Sequence, residues 1–212
     1  MPPYKLYGSP GTASMCVHWM LLELGVPLEF VSLDFEKGDQ KTPEYLKVNP
    51  TGHVPALLID GVAYGEAAAL LMVLAERHPD AQLAPPAGAA ERALYLQWMF
   101  YLANTLMPAF RLWFYADEGA GPENVEATKA QSRTRIEKVW ERLNALLGDE
   151  RAYAMGAHLT TVDFLAGMLA RWSRNMPKSA ADWPHLRGYV ERLRALPSYQ
   201  ETHRRDGLTG WI

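Results

Sequence analysis

Along the first third of the chain, short apolar runs alternate with stretches whose apolar residues recur every three or four positions. Tyr4-Lys5-Leu6-Tyr7 predicts a strand, ended by the breaker cluster Gly8-Ser9-Pro10-Gly11. Residues 13–24 read as a helix closed by Gly25 and Pro27. Residues 28–33 alternate as a second strand, and Thr42-Pro43-Glu44 places a cap and then a first-turn proline at the start of a short helix. Residues 54–59 and 62–64 flank Asp60-Gly61, a two-residue hairpin signal, and 66–78 form a helix stopped by Pro79. The order strand, helix, strand, helix, strand, strand, helix predicts an α/β layer that closes on an antiparallel hairpin.

Residues 80–89 hold Pro85, Pro86 and Gly88 without periodicity and read as a linker. Beyond it only helical spacing remains, over residues 90–117, 122–147, 160–174 and 184–196. Pro108 lies inside the first of these and should kink it, because it removes one backbone bond and crowds the preceding turn. Thr160 and Asp163 form a capping box at the start of the third, with Leu159 and Phe164 as its hydrophobic staple. Two domains are therefore expected, over residues 1–79 and 90–212.

Composition narrows the chemistry. The 212 residues are 49 % apolar with a net charge of −3, which fits a globular chain and gives no sign of a nucleic-acid partner. Met1-Pro2-Pro3-Tyr4-Lys5 lacks a basic region followed by an apolar stretch, and no apolar run approaches the roughly 20 residues of a membrane span. A soluble cytoplasmic protein is the expectation. The single cysteine, Cys16, excludes an internal disulfide, and the six histidines offer no pair at a metal-binding spacing, so no metal is expected. Cys16 itself is expected to be a buried structural thiol.

Four blocks then carry a resemblance. Lys5-Leu6-Tyr7-Gly8-Ser9-Pro10-Gly11-Thr12-Ala13-Ser14, Asn49-Pro50-Thr51-Gly52-His53-Val54-Pro55-Ala56-Leu57, Tyr64-Gly65-Glu66-Ala67-Ala68-Ala69-Leu70 and Leu159-Thr160-Thr161-Val162-Asp163-Phe164 occur in the order and near the spacing of glutathione transferases. The chain resembles that family, nearest its bacterial beta class. The resemblance implies a thioredoxin-like α/β N-terminal domain with a mixed four-stranded sheet, an all-α C-terminal domain, glutathione as co-substrate and a homodimer. It implies a cis Val54–Pro55 bond, with the backbone of Val54 pairing with the cysteinyl part of glutathione. Glu66 and the N–H of Ala67 would hold the γ-glutamyl end, which suits a carboxylate facing an ammonium and a helix N-terminus facing a carboxylate. Alanine at 67 lacks the hydroxyl that the family often carries there. His53 falls where the family places a group near the glycyl carboxylate, and Lys37 or Lys41 could add a cation.

A transferase must also activate the thiol. With a pKa near 8.5 only about 3 % of it is thiolate at pH 7, and lowering the pKa by about two units takes roughly 2.7 kcal/mol. A hydroxyl at the start of the first helix could contribute this. Aligned on Gly25, Thr12 matches the catalytic serine of plant and insect serine-type enzymes, while the catalytic cysteine of the beta class falls on Ala13, beside Ser14. Ser14, Thr12 and Ser9 are the hydroxyl candidates, Tyr7 is a weaker one, and His18 matches a histidine of the beta class. Without cysteine at 13, thiolate attack on a small, mostly apolar electrophile is favoured over mixed-disulfide chemistry. The second-substrate pocket is expected from Tyr101, Asn104, Thr105 and Pro108 on the kinked helix, with Trp172 opposite and Arg111 as a possible anion anchor. The alternatives are a glutathione-dependent isomerase or dehalogenase on the same fold, and a non-catalytic binding or dimerisation module.

Overall fold

A computed structural model describes residues 4–211, leaving aside the side chains of residues 119 and 120; the opening Met1-Pro2-Pro3, read above as lacking a leader, lies outside it. The chain divides into two compact units. One runs to Ala84 and takes in the chain from Arg194 on; the other is Pro85–Leu193. The boundary near residue 84 falls inside the expected linker. The return of the last residues to the first unit departs from the division read from the sequence, which assigned them to the C-terminal domain.

In the first unit, β1 (Tyr4–Gly8), α1 (Ser14–Glu23), β2 (Leu28–Ser32), α2 (Pro43–Val48), β3 (Ala56–Ile59), β4 (Val62–Tyr64) and α3 (Ala67–Arg77) follow the predicted order. The sheet order is β2-β1-β3-β4, with β1 parallel to β2 and both other pairings antiparallel. Parallel neighbours cannot be joined by a tight turn, so α1 bridges β1 and β2, whereas Asp60 and Gly61, both at positive φ, turn β3 directly into β4. Leu6 pairs with Phe30 on one side and Leu57 on the other, which places its side chain in the centre of the sheet's covered face. Every residue from Ser14 to Leu21 is buried, as expected of a helix packed on several sides. Thr42 caps α2 by accepting the N–H of Tyr45, at 3.3 Å. A small apolar cluster of Leu33, Tyr45 and Ala56, joined by Tyr7, Val48 and Val54, ties α2 to the strands.

The sequence reading stops at residue 196 and misses the helix that follows it. Pro197–Arg205 folds as a helix on α1: Trp19 Nε1 donates to Ser198 Oγ at 2.9 Å, Trp19 and Tyr199 meet edge to face, and His18 Nδ1 donates to Asp206 Oδ1 at 2.7 Å. Its buried residues are Ser198, Tyr199, Thr202 and His203. Their spacing is helical, but three of the four are serine, threonine or histidine, which hides the pattern from a hydrophobic template.

In the second unit, α4 (Arg92–Tyr101) and α5 (Met107–Phe114) are joined by a π-helical turn, Leu102–Leu106, and followed by α6 (Ala116–Ala120), α7 (Val125–Leu146), α8 (Thr161–Trp172) and α9 (Pro184–Arg194). The helix in the C-terminal stretch of the first unit, Pro197–Arg205, is α10. Pro108 sits just past the π turn, whose wider winding accommodates the missing N–H and the bulk of the proline ring. The single kinked helix expected to residue 117 ends instead at Phe114. α8 is buried along nearly its whole length and forms the centre of the unit, with Tyr95 Oη 2.7 Å from Thr161 Oγ1. The capping box at its start is formed. No helix among the described residues is long and apolar enough to cross a membrane.

Candidate functional site

The first unit carries three candidate groups, each at the end of an element. The Val54–Pro55 bond is cis, immediately before β3, and neither the N–H nor the C=O of Val54 makes a hydrogen bond among the described residues. The residue before it is anchored firmly: the His53 carbonyl accepts from Tyr45 Oη at 2.5 Å and from Asn49 Nδ2 at 2.8 Å. Tyr45 lies in the first turn of α2 and Asn49 at its C-terminal cap, and burial pushes the Tyr45 hydroxyl pKa up, keeping it protonated as a donor. Sequence reasoning missed these two residues as supports; the side-chain turn of Asn49 onto Thr51 was the available signal.

Glu66 precedes α3 with φ 65° and ψ 99°, a conformation that a non-glycine residue adopts at a cost of about 1–3 kcal/mol. Its carboxylate is exposed, does not cap the helix and has no partner among the described residues. Ala67 follows in the first turn, where helix N–H groups lack internal acceptors. The strained residue thus puts an unpaired carboxylate beside an electropositive helix end.

The third group is the turn between β1 and α1. Ser14 is 1 % exposed; its Oγ accepts the Ser9 N–H at 3.1 Å and lies 3.1 Å from the Ser9 carbonyl and 3.0 Å from Thr12 Oγ1. Thr12 Oγ1 is 2.6 Å from the Ser9 carbonyl. Thr12 and Ser9 are half-buried, and Ser9 Oγ has no partner among the described residues. The three hydroxyls are therefore brought together, but only those of Thr12 and Ser9 belong to residues that reach solvent.

The other candidates separate in the same way. Lys37 pairs with Asp34 at 2.8 Å, whereas a Cβ on Gly52 would come within 3.0 Å of Lys41 Nζ, so Lys41 is the cation beside the loop that leads to Val54. The His53 ring is exposed. His18 is buried, stacked on Phe30 with centroids 4.4 Å apart, and bonded to Asp206; it holds α10 to α1. The Cys16 thiol donates to the Ala13 carbonyl at 3.3 Å, and burial pushes its pKa up to about 12. An aromatic disulfide reagent at pH 8 is therefore expected to titrate no thiol in the folded chain and one after unfolding in guanidinium; a fast-reacting native thiol would contradict this burial.

In the second unit, Asn104, Thr105 and Pro108 share the exposed side of the π-helical stretch, opposite buried Leu102, Leu106 and Phe110. Tyr101 is half-buried, edge-on to Trp98, with the Arg142 guanidinium 4.7 Å from its ring. Arg111 is bound to Glu118 and lies 3.7 Å over Tyr115. Trp172 packs edge-on against Phe110 and Phe114. An open groove of about 520 Å³ between Trp113 and the Lys129–Glu137 face of α7 contains none of these residues.

A βαβ unit followed by an antiparallel hairpin, a cis-proline strand start and a helical second unit define a thioredoxin-like transferase architecture. The chain belongs to the glutathione S-transferase family: the family's N-terminal domain matches residues 6–84 and its C-terminal domain residues 126–192. It is 30 % identical over 206 residues to the glutathione S-transferase GstA of Escherichia coli O157:H7, covering 96 % of this chain and 99 % of that one. A glutathione transferase homolog from Sulfitobacter, solved with bound glutathione, is 27 % identical with a TM-score of 0.88, covering 99 % and 100 % of the two chains. The bacterial beta class glutathione S-transferase of Sphingomonas chungbukensis is 28 % identical with a TM-score of 0.84, covering 97 % and 100 %.

Proposed function

We propose that this protein is a glutathione transferase that activates the glutathione thiol with a hydroxyl. The observation that carries the proposal is the set of unsatisfied groups in the first unit: the main chain of Val54, the strained Glu66 and the N-terminus of α3. The unpaired Val54 main chain matches the cysteinyl amide and carbonyl of the tripeptide, and Glu66 with the Ala67 N–H matches its ammonium and carboxylate. Lys41 and His53 take the glycyl carboxylate. Thr12 is the hydroxyl donor to sulfur: it matches the serine-type position, begins the turn into α1 and is half-buried rather than enclosed like Ser14. Tyr101, Asn104, Thr105 and Pro108, displayed along the π turn, contact the electrophile; Arg111 and Trp172 are engaged within their own unit. The relatives bearing glutathione transferase names support the activity as a whole. We also propose a cytoplasmic homodimer, because reduced glutathione is maintained there; Val62 and Tyr64 on the edge strand β4 and Phe100 on α4 leave apolar surface exposed.

Titration calorimetry with glutathione, followed by conjugation to an activated chloronitrobenzene, tests the proposal. Binding with turnover supports it; binding without turnover reassigns the chain as a binding module; neither removes glutathione. Thr12→Val should cut kcat/KM at pH 7 about tenfold and raise the apparent thiol pKa toward its free value, seen in the pH–rate profile. An unmoved profile would transfer the role to another hydroxyl, with Ser9 next to be tested.

A further inference from the structure

Proton counting in the turn between β1 and α1 assigns a direction to its hydrogen bonds. Each hydroxyl has one proton to give. The Ser9 carbonyl is 2.6 Å from Thr12 Oγ1 and 3.1 Å from Ser14 Oγ, so the shorter contact takes the Thr12 proton. With the Thr12 proton given away, only the Ser14 proton can make the 3.0 Å contact between Thr12 Oγ1 and Ser14 Oγ, in competition with the Ser9 carbonyl 3.1 Å away. Ser14 Oγ meanwhile accepts the Ser9 N–H at 3.1 Å, which leaves the chain Ser9 N–H to Ser14 to Thr12 running in one sense. The Ser14 N–H, 3.4 Å from Thr12 Oγ1, points to the same oxygen.

The packing holds Ser14 in this orientation. It is 1 % exposed, and a Cβ on Gly8 would lie 2.5 Å from its Oγ, so the side chain occupies the space that the glycine leaves open. The Ser9 carbonyl also accepts the Thr12 N–H at 3.2 Å. It therefore keeps a donor if the Thr12 proton turns elsewhere.

Given Thr12 as the donor to sulfur, we infer that Ser14 is a positioning residue whose buried hydroxyl donates to Thr12 Oγ1 when the Thr12 proton turns from the Ser9 carbonyl to the thiolate, strengthening Thr12 as a donor. Bonds in such a chain polarise one another: an oxygen that accepts one hydrogen bond gives a better one. Ser14 never touches the sulfur. Its effect is felt through Thr12 alone, and it needs the buried, fixed orientation that the Gly8 contact gives it.

The test compares Ser14→Ala, Thr12→Val and the double variant in pH–rate profiles of kcat/KM, with the glutathione KM and thermal midpoint measured for each. Ser14→Ala should raise the apparent thiol pKa by about 0.5 and lower kcat/KM at pH 7 roughly threefold, with the glutathione KM unchanged. The double variant should match Thr12→Val within about twofold, because removing Thr12 removes the only route by which Ser14 acts. A lowered thermal midpoint with an unmoved pH profile, or losses that multiply in the double variant, would reduce Ser14 to a support of the turn and overturn the inference. If Thr12→Val keeps the wild-type profile, the assignment of Thr12 fails and the inference with it, a result distinct from failure at Ser14 alone. Should Ser14→Ala not fold, Ser14→Cys keeps the bulk with a weaker donor, and the same pKa change decides.

Discussion

Asp163→Ala is expected to lower the stability of the chain by about 3–5 kcal/mol, more than any other single change considered. Asp163 lies in the first turn of α8 with no exposed surface, and its carboxylate gathers four donors from three segments of the second unit. Oδ2 accepts the Thr160 N–H at 2.7 Å and the Thr160 hydroxyl at 3.0 Å; Oδ1 accepts the Ala154 N–H at 2.8 Å and the Tyr189 hydroxyl at 2.7 Å. Burial raises the Asp163 carboxyl pKa even against these donors. Alanine would strand two buried N–H groups and a buried phenol, each costing about 1–3 kcal/mol before relaxation. Thermal unfolding should show it as a drop of roughly 10 °C, at about 2–4 °C per kcal/mol for a chain of this size. A drop under about 2 °C would mean that the network contributes little. Glutathione affinity at low temperature should change little, since Asp163 acts within the helical unit.

Glu66 should show the opposite balance. Glu66→Ala removes the carboxylate proposed for the glutathione ammonium and should weaken glutathione binding by about 1.5–3 kcal/mol, roughly 10–150-fold in Kd. Stability should barely move, because the side chain has no partner among the described residues. Glu66→Gly adds a second readout. Its φ of 65° suits glycine, so relief of strain offsets the greater freedom of the unfolded chain and should leave the protein as stable or up to about 1 kcal/mol more stable, while glutathione binding is lost as in the alanine variant. Calorimetry and thermal unfolding of the two variants check this directly. Tight glutathione binding by both would remove Glu66 from the site.

Much of the first unit was legible because its signals are local. Thr42-Pro43 sets a helix start, Asp60-Gly61 sets a hairpin and Gly25 with Pro27 ends α1, each through groups only a few residues apart. The candidate ligand groups at Val54 and Glu66 were legible through resemblance, and the structure adds their lack of partners. The hydroxyls were harder to rank. Ser14 and Thr12 stand level in the sequence, yet one is enclosed and the other reaches solvent, because the close approach of Ser14 to Gly8 depends on how α1 packs on β1. Lys37 and Lys41 are likewise equivalent until Asp34 is seen to pair with one of them.

The sequence alone determined the order of the elements up to residue 79, the hairpin and the capping box, and it carried the resemblance to the family. The first three rest on propensities and spacings within short windows, the last on four blocks that resemble the family's in order along the chain. Tertiary structure decided that the chain from Arg194 on returns to the first unit, that α10 exists and that His18 is bonded to a residue 188 positions away. The reason is physical: α10 buries serine, threonine and histidine rather than an apolar stripe, and polar side chains become interior only when a distant part of the chain supplies their hydrogen-bond partners.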